Sequence, residues 1–100
     1  PMSEDSGASS TRLVQQATIC NTRGLHARAA AKLVTLAEKF SASVEISRDG
    51  QSVSAQSIMG LMMLGAGQGS VIEIAADGWD AKEALAAVAG LIDAGFYETG

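Results

Sequence analysis

Two helical stripes set among short alternating segments leave this chain few ways to bury its apolar side chains. Ala30, Leu33, Val34, Ala37 and Phe40 recur at helical spacing, as do Ala81, Ala84, Leu85, Val88, Leu91 and Ile92. The first stripe predicts a helix from His26 to about Phe40 with Lys32 and Lys39 pointing outward. The second predicts a helix opened by Asp80 as N-cap, with Glu83 three residues on, and stopped by Gly95. Around them lie segments of period two. Leu13, Ala17 and Ile19 oppose Gln16 and Thr18 in a strand ending near Cys20, Val44 and Ile46 alternate with Glu45 and Ser47, and Ile72, Ile74 and Ala76 alternate with Glu73 and Ala75. Asp49-Gly50 tolerates positive φ and joins the second strand to a third through Val53 as a hairpin, while Asp77-Gly78 turns the chain before the last helix. With a short helix over Ser57 to Leu64, bounded by Gly65, the order is βαββαβα. This is an α+β pattern, with three helices on one face of a four-stranded antiparallel sheet.

A chain of 100 residues that is 47% hydrophobic forms one domain and removes about two thirds of its unfolded surface from water. The polar residues 1–12 are expected to form a disordered extension, with Pro1 before Met2 a remnant of expression or processing, and 13–100 to form the domain. A net charge of −4 opposes nonspecific nucleic-acid binding, and a small helix-on-sheet nucleic-acid module is the weakest reading. A single cysteine excludes an internal disulfide, and one cysteine with one histidine leaves no metal cluster to assemble; no cofactor is called for. Cys20 itself reads as a small buried apolar residue at a strand end. No segment is long and apolar enough to span a bilayer and no secretory signal is present, so a cytoplasmic protein without stable membrane association is expected.

The chemistry concentrates in Asn21-Thr22-Arg23-Gly24-Leu25-His26-Ala27-Arg28-Ala29-Ala30-Ala31. The only histidine of the chain stands after a glycine and before an alanine run, which places its imidazole at a helix N-terminus. Unpaired backbone N–H groups there, those of Ala27 and Arg28 among them, favour an anion, and the Arg28 guanidinium adds a forked donor for phosphate oxygens. No acidic residue lies between Asp5 and Glu38, whereas Arg12, Arg23, Arg28 and Lys32 do, so an acidic chain is locally positive here. A neutral imidazole attacks phosphorus at neutral pH and later serves as a leaving group, so this is a site for phosphoryl transfer. With neither a nucleotide site nor a paired acid and base, the chain is expected to act between partner enzymes and not as an independent enzyme.

A second stretch is unusual for lacking charge. From Gln51 to Ile72 no residue is ionisable, and Ile58, Met59, Leu61, Met62, Met63 and Leu64 are too many apolar side chains for one short helix to bury on one side. Ile58, Met59, Leu61 and Met62 are expected to form a docking surface, where flexible methionine suits more than one partner. Ser57 stands at the N-cap position, its hydroxyl free to accept a backbone N–H; a phosphate there would set about −2 charges beside the apolar face. Gly65-Ala66-Gly67-Gln68-Gly69 lacks the Lys-Ser or Lys-Thr of a phosphate loop and reads as a connection.

Together, Gly24-Leu25-His26-Ala27-Arg28 with its alanine-rich helix and Gln56-Ser57-Ile58-Met59-Gly60-Leu61-Met62-Met63-Leu64-Gly65 resemble the two signature segments of HPr, the histidine phosphocarrier of the bacterial phosphoenolpyruvate phosphotransferase system. The resemblance runs from about Leu13 to Phe96. It implies an open-faced sandwich with strand order 1-4-2-3 and the short second helix at its edge. It also implies that enzyme I phosphorylates His26 on Nδ1, that Arg28 stabilises the phosphate, that an enzyme IIA-type protein is the acceptor, and that Ser57 matches the serine used by HPr kinase/phosphorylase in some bacteria. Alanine at Ala29, where the family usually has proline, resembles members serving nitrogen or metabolic regulation rather than mainly sugar uptake. A carrier that shows one face to successive partners would work as a monomer. The alternative is a regulatory binding module, switched by phosphate on His26 or Ser57 without onward transfer.

Overall fold

The computed structural model describes residues 12–98; most of the predicted N-terminal extension, and Thr99-Gly100, lie outside them. Its elements follow the expected order: β1 (Leu13–Thr18), α1 (Ala27–Ala37), β2 (Ser43–Arg48), β3 (Gln51–Ser54), α2 (Ile58–Met63), β4 (Val71–Asp77) and α3 (Ala81–Asp93), then one 3₁₀ turn over Gly95–Tyr97. All strand pairs are antiparallel and the sheet order is β1-β4-β2-β3, as the resemblance implied. Helix α1 is shorter than predicted, continuing to Phe40 only as turns.

Register explains the single buried face of the sheet. Ala17 pairs with Ile72, and Ile46 sits between Ile74 and Val53. These side chains meet Leu33, Val88, Ile92 and Phe96 in one core, each complete burial stabilising by about 1.5–3 kcal/mol. On the other face, Gln16, Thr18 and Glu45 are exposed, and the hydroxyls of Ser47 and Ser52 lie 2.7 Å apart across the hairpin. That hairpin closes through Asp49 and Gly50 at φ 51° and 83°, a primed turn whose twist matches its strands. No helix among the described residues is long and apolar enough to cross a membrane.

Asp80 precedes α3 as expected but does not cap it by its side chain. Its buried carboxylate accepts from Ser41 N at 2.9 Å and Ala42 N at 2.8 Å, tying the start of α3 to the loop that follows α1. Asp80→Ala would leave two backbone donors without their charged acceptor and is expected to cost about 2–3 kcal/mol in urea unfolding, with Asp80→Asn costing less.

Cys20 and Lys32 depart from expectation because their partners are remote in sequence, and Leu61 because an uncharged short helix does not show which side is buried. Cys20 is exposed rather than buried, its thiol donating to Ile92 O at 3.4 Å at the end of α3. Lys32 does not point outward. It is half-buried, and its Nζ donates to Phe96 O at 2.6 Å. Leu61 is completely buried.

Candidate functional site

The loop from β1 to α1 is fastened before it reaches the histidine. Ile19 N donates to Ser70 O at 2.9 Å, Gly69 N to Ile19 O at 2.7 Å and Leu25 N to Ala66 O at 2.9 Å, so the glycine-rich connection serves as a clasp. Gly24 lies where only glycine fits. Its φ is +67°, and a Cβ there would stand 2.5 Å from Ala66 O and 2.7 Å from Gly67 Cα. Leu25 is then buried, and the next residue, His26, becomes the N-cap of α1 in extended conformation.

The cap is made by the ring itself: Nδ1 accepts from Arg28 N at 3.2 Å, and His26 O accepts from Ala30 N at 2.8 Å. A backbone N–H can only donate, so Nδ1 carries the lone pair and the ring proton sits on Nε2. That proton faces a carboxylate oxygen, Glu98 Oε2. Glu98 was not singled out in the sequence. It lies 72 residues away in the tail, and nothing in its sequence neighbourhood marks it.

Glu98 is tightly placed. Its Oε1 accepts from Asn21 Nδ2 at 3.0 Å, and the same amide nitrogen donates to Gly24 O at 2.8 Å. The hydrogen bond from Asn21, then that from His26, hold its carboxyl below the usual carboxylate range, with Arg23 adding attraction and burial opposing. A carboxyl lowered on folding stabilises the tail fully above its unfolded pKa and ceases to do so as pH falls through its folded value. Acid titration followed by the amide signals of 95–98 is therefore expected to show this tail loosening at a pH where the core signals are still native.

Ala27 and Arg28 are exposed at the start of α1, beside the ring. Arg28 also lines a groove with Ala31, Lys32, Leu36, Leu91 and Tyr97. Ser57 stands apart from this chemistry as the N-cap of α2, its Oγ accepting from Gly60 N at 3.0 Å. Of the predicted docking residues, Ile58, Met59 and Met62 are exposed; Leu61 belongs to the core instead, and Met63, 68% exposed, takes a place beside them. Helix α2 packs against α1, which carries the histidine at its start.

The family described as "PTS HPr component phosphorylation site" matches residues 13–94. The phosphocarrier protein NPr of Shewanella violacea is 48% identical over 88 residues, covering 88% of this chain and 97% of that protein. The phosphocarrier protein HPr of Cupriavidus necator is 50% identical over 86 residues, covering 86% of this chain and 97% of its own. Among solved structures, HPr-C-His from Thermoanaerobacter tengcongensis superposes with a TM-score of 0.83 at 42% identity, covering 88% of this chain and 99% of that one.

Proposed function

Because the chain belongs to the HPr family of phosphotransferase-system phosphocarriers, we propose that His26 accepts a phosphoryl group on Nδ1 from phosphorylated enzyme I and passes it to an enzyme IIA-type protein, in the cytoplasm. The observation that carries this reading is the cap geometry. Nδ1 bears the lone pair at the positive end of α1, beside Arg28. As that lone pair attacks phosphorus, the Arg28 N–H loses its ring acceptor and gains a phosphate oxygen, so one donor serves the site before and after transfer. The Ala27 N–H and the Arg28 guanidinium supply further positive charge for the phosphate.

Docking falls to Ile58, Met59, Met62 and Met63 on α2. Replacing Met59 and Met63 together with serine is expected to leave stability within about 0.5 kcal/mol, since both lie outside the core, while raising the KM for the donor. Leu61→Ala would instead unfold the chain more easily by about 2–5 kcal/mol, which separates core from docking surface. Ser57 is proposed as the site of a regulatory kinase; phosphate there would be accommodated by the start of α2 and would set charge beside the docking methionines.

Intact mass after incubation with phosphoenolpyruvate, magnesium and enzyme I tests the reading. One added phosphate that brief acid treatment removes is the expected result. No added phosphate, or one that survives acid, would overturn the assignment to His26 and favour a module regulated through Ser57.

A further inference from the structure

Resting on the phosphocarrier reading of His26, we infer that Glu98 is a positioning residue for the transfer, acting as the counter-ion that keeps the ring proton on Nε2 in both the free and the phosphorylated state. Its carboxylate is held in place from several directions. Oε2 meets Nε2, Oε1 accepts from Asn21, and Asn21 in turn is fixed to Gly24 O. Two residues earlier, the Phe96 side chain is completely buried and its carbonyl is bound by Lys32 Nζ, so the tail is anchored just before the acid. Phe96 and Tyr97 both have positive φ, 57° and 58°, and this reversal carries the chain back over the start of α1. His26 and Glu98 side chains retain only 14% and 13% exposure, a covering that strengthens their interaction over that of an open surface pair.

The chemistry gives the carboxylate a task in each direction. When the Nδ1 lone pair attacks, the N–P bond forms and the donor's bond to phosphorus breaks, its electron pair leaving with the donor. The ring keeps its Nε2 proton and becomes cationic. Glu98 offsets that charge as it develops, with no proton moved. On transfer out, the N–P bond breaks, the pair returns to Nδ1 and the ring is neutral again with Nε2 still protonated. Arg23 from the preceding loop also attracts Glu98, while Lys32 from α1 is engaged two residues earlier, at the Phe96 carbonyl.

The full chain with Glu98→Gln and with Glu98→Ala tests this. Long-range ¹⁵N–¹H spectra of the unmodified protein should show the Nε2–H form dominant in the parent, retained in Glu98→Gln, which keeps an acceptor, and mixed in Glu98→Ala. In the phosphorylated protein, the Nε2–H proton signal should move upfield in Glu98→Gln, because the charged acceptor is lost while the shape is kept. Phosphoryl acceptance should slow by about fivefold in both variants. An unchanged Nε2–H signal with an unchanged rate would overturn the proposal, and so would faster acceptance, which would make the tail a cover over the ring. Failure of the parent chain to take phosphate on His26 would instead overturn the phosphocarrier reading itself.

Discussion

His26→Ala is expected to abolish phosphate acceptance altogether, leaving the intact mass unchanged after incubation with phosphoenolpyruvate and enzyme I. The effect is total because the chain has one histidine and no second imidazole can substitute. It is also separable from folding. Losing the ring removes the acceptor for Arg28 N, a cap worth about 1 kcal/mol, and His26→Asn should recover much of that cap without recovering chemistry. Residual acid-labile phosphate on a folded His26→Ala protein would mean that another group accepts it. The same incubation on Arg28→Ala should give a slower but complete reaction, since backbone N–H groups at the helix start remain.

Gly24→Ala is expected to lower stability by about 2–4 kcal/mol and to slow phosphate acceptance in the fraction that stays folded. Two effects combine there: a left-handed backbone that disfavours any Cβ, and a collision with Ala66 O and Gly67 Cα that neither backbone atom can avoid by rotating. Gly50→Ala provides the control. Its φ is +83°, yet nothing lies within 4 Å of the added carbon, so only the backbone strain of about 1 kcal/mol should appear. Urea unfolding of the two variants separates strain from collision. The rate of phosphorylation then reports how far displacing the clasp moves the histidine it positions.

Features set by neighbours in sequence were legible before the fold was known. A glycine, a histidine and an alanine run mark the start of α1 because capping and propensity act within one turn, and Asp49-Gly50 marks its hairpin for the same reason. The family resemblance supplied the strand order, which alternation alone does not contain. Glu98 was hidden because its meeting with His26 depends on two left-handed residues and a buried phenylalanine at the end of the chain. The inward turn of Lys32 was hidden by the same tail, whose carbonyl it binds. In α2 the difficulty was phase. Six residues with no charge among them give no polar side to orient the helix, so buried Leu61 and exposed Met63 read alike.

The clasp between the loop after β1 and the segment before β4 has a kinetic side. Leu25 meets Ala66 and Ile19 meets Ser70, while Asn21 meets Glu98, so the site closes contacts from one end of the domain to the other. Such contacts are expected to form late, after the entropy of closing long loops has been offset by the sheet and core. A chain with α1 and α3 already helical would still lack a placed Nδ1. During refolding, phosphate acceptance should therefore return in step with tertiary structure and lag behind helical circular dichroism, making the carrier's chemistry a reporter of its completed topology.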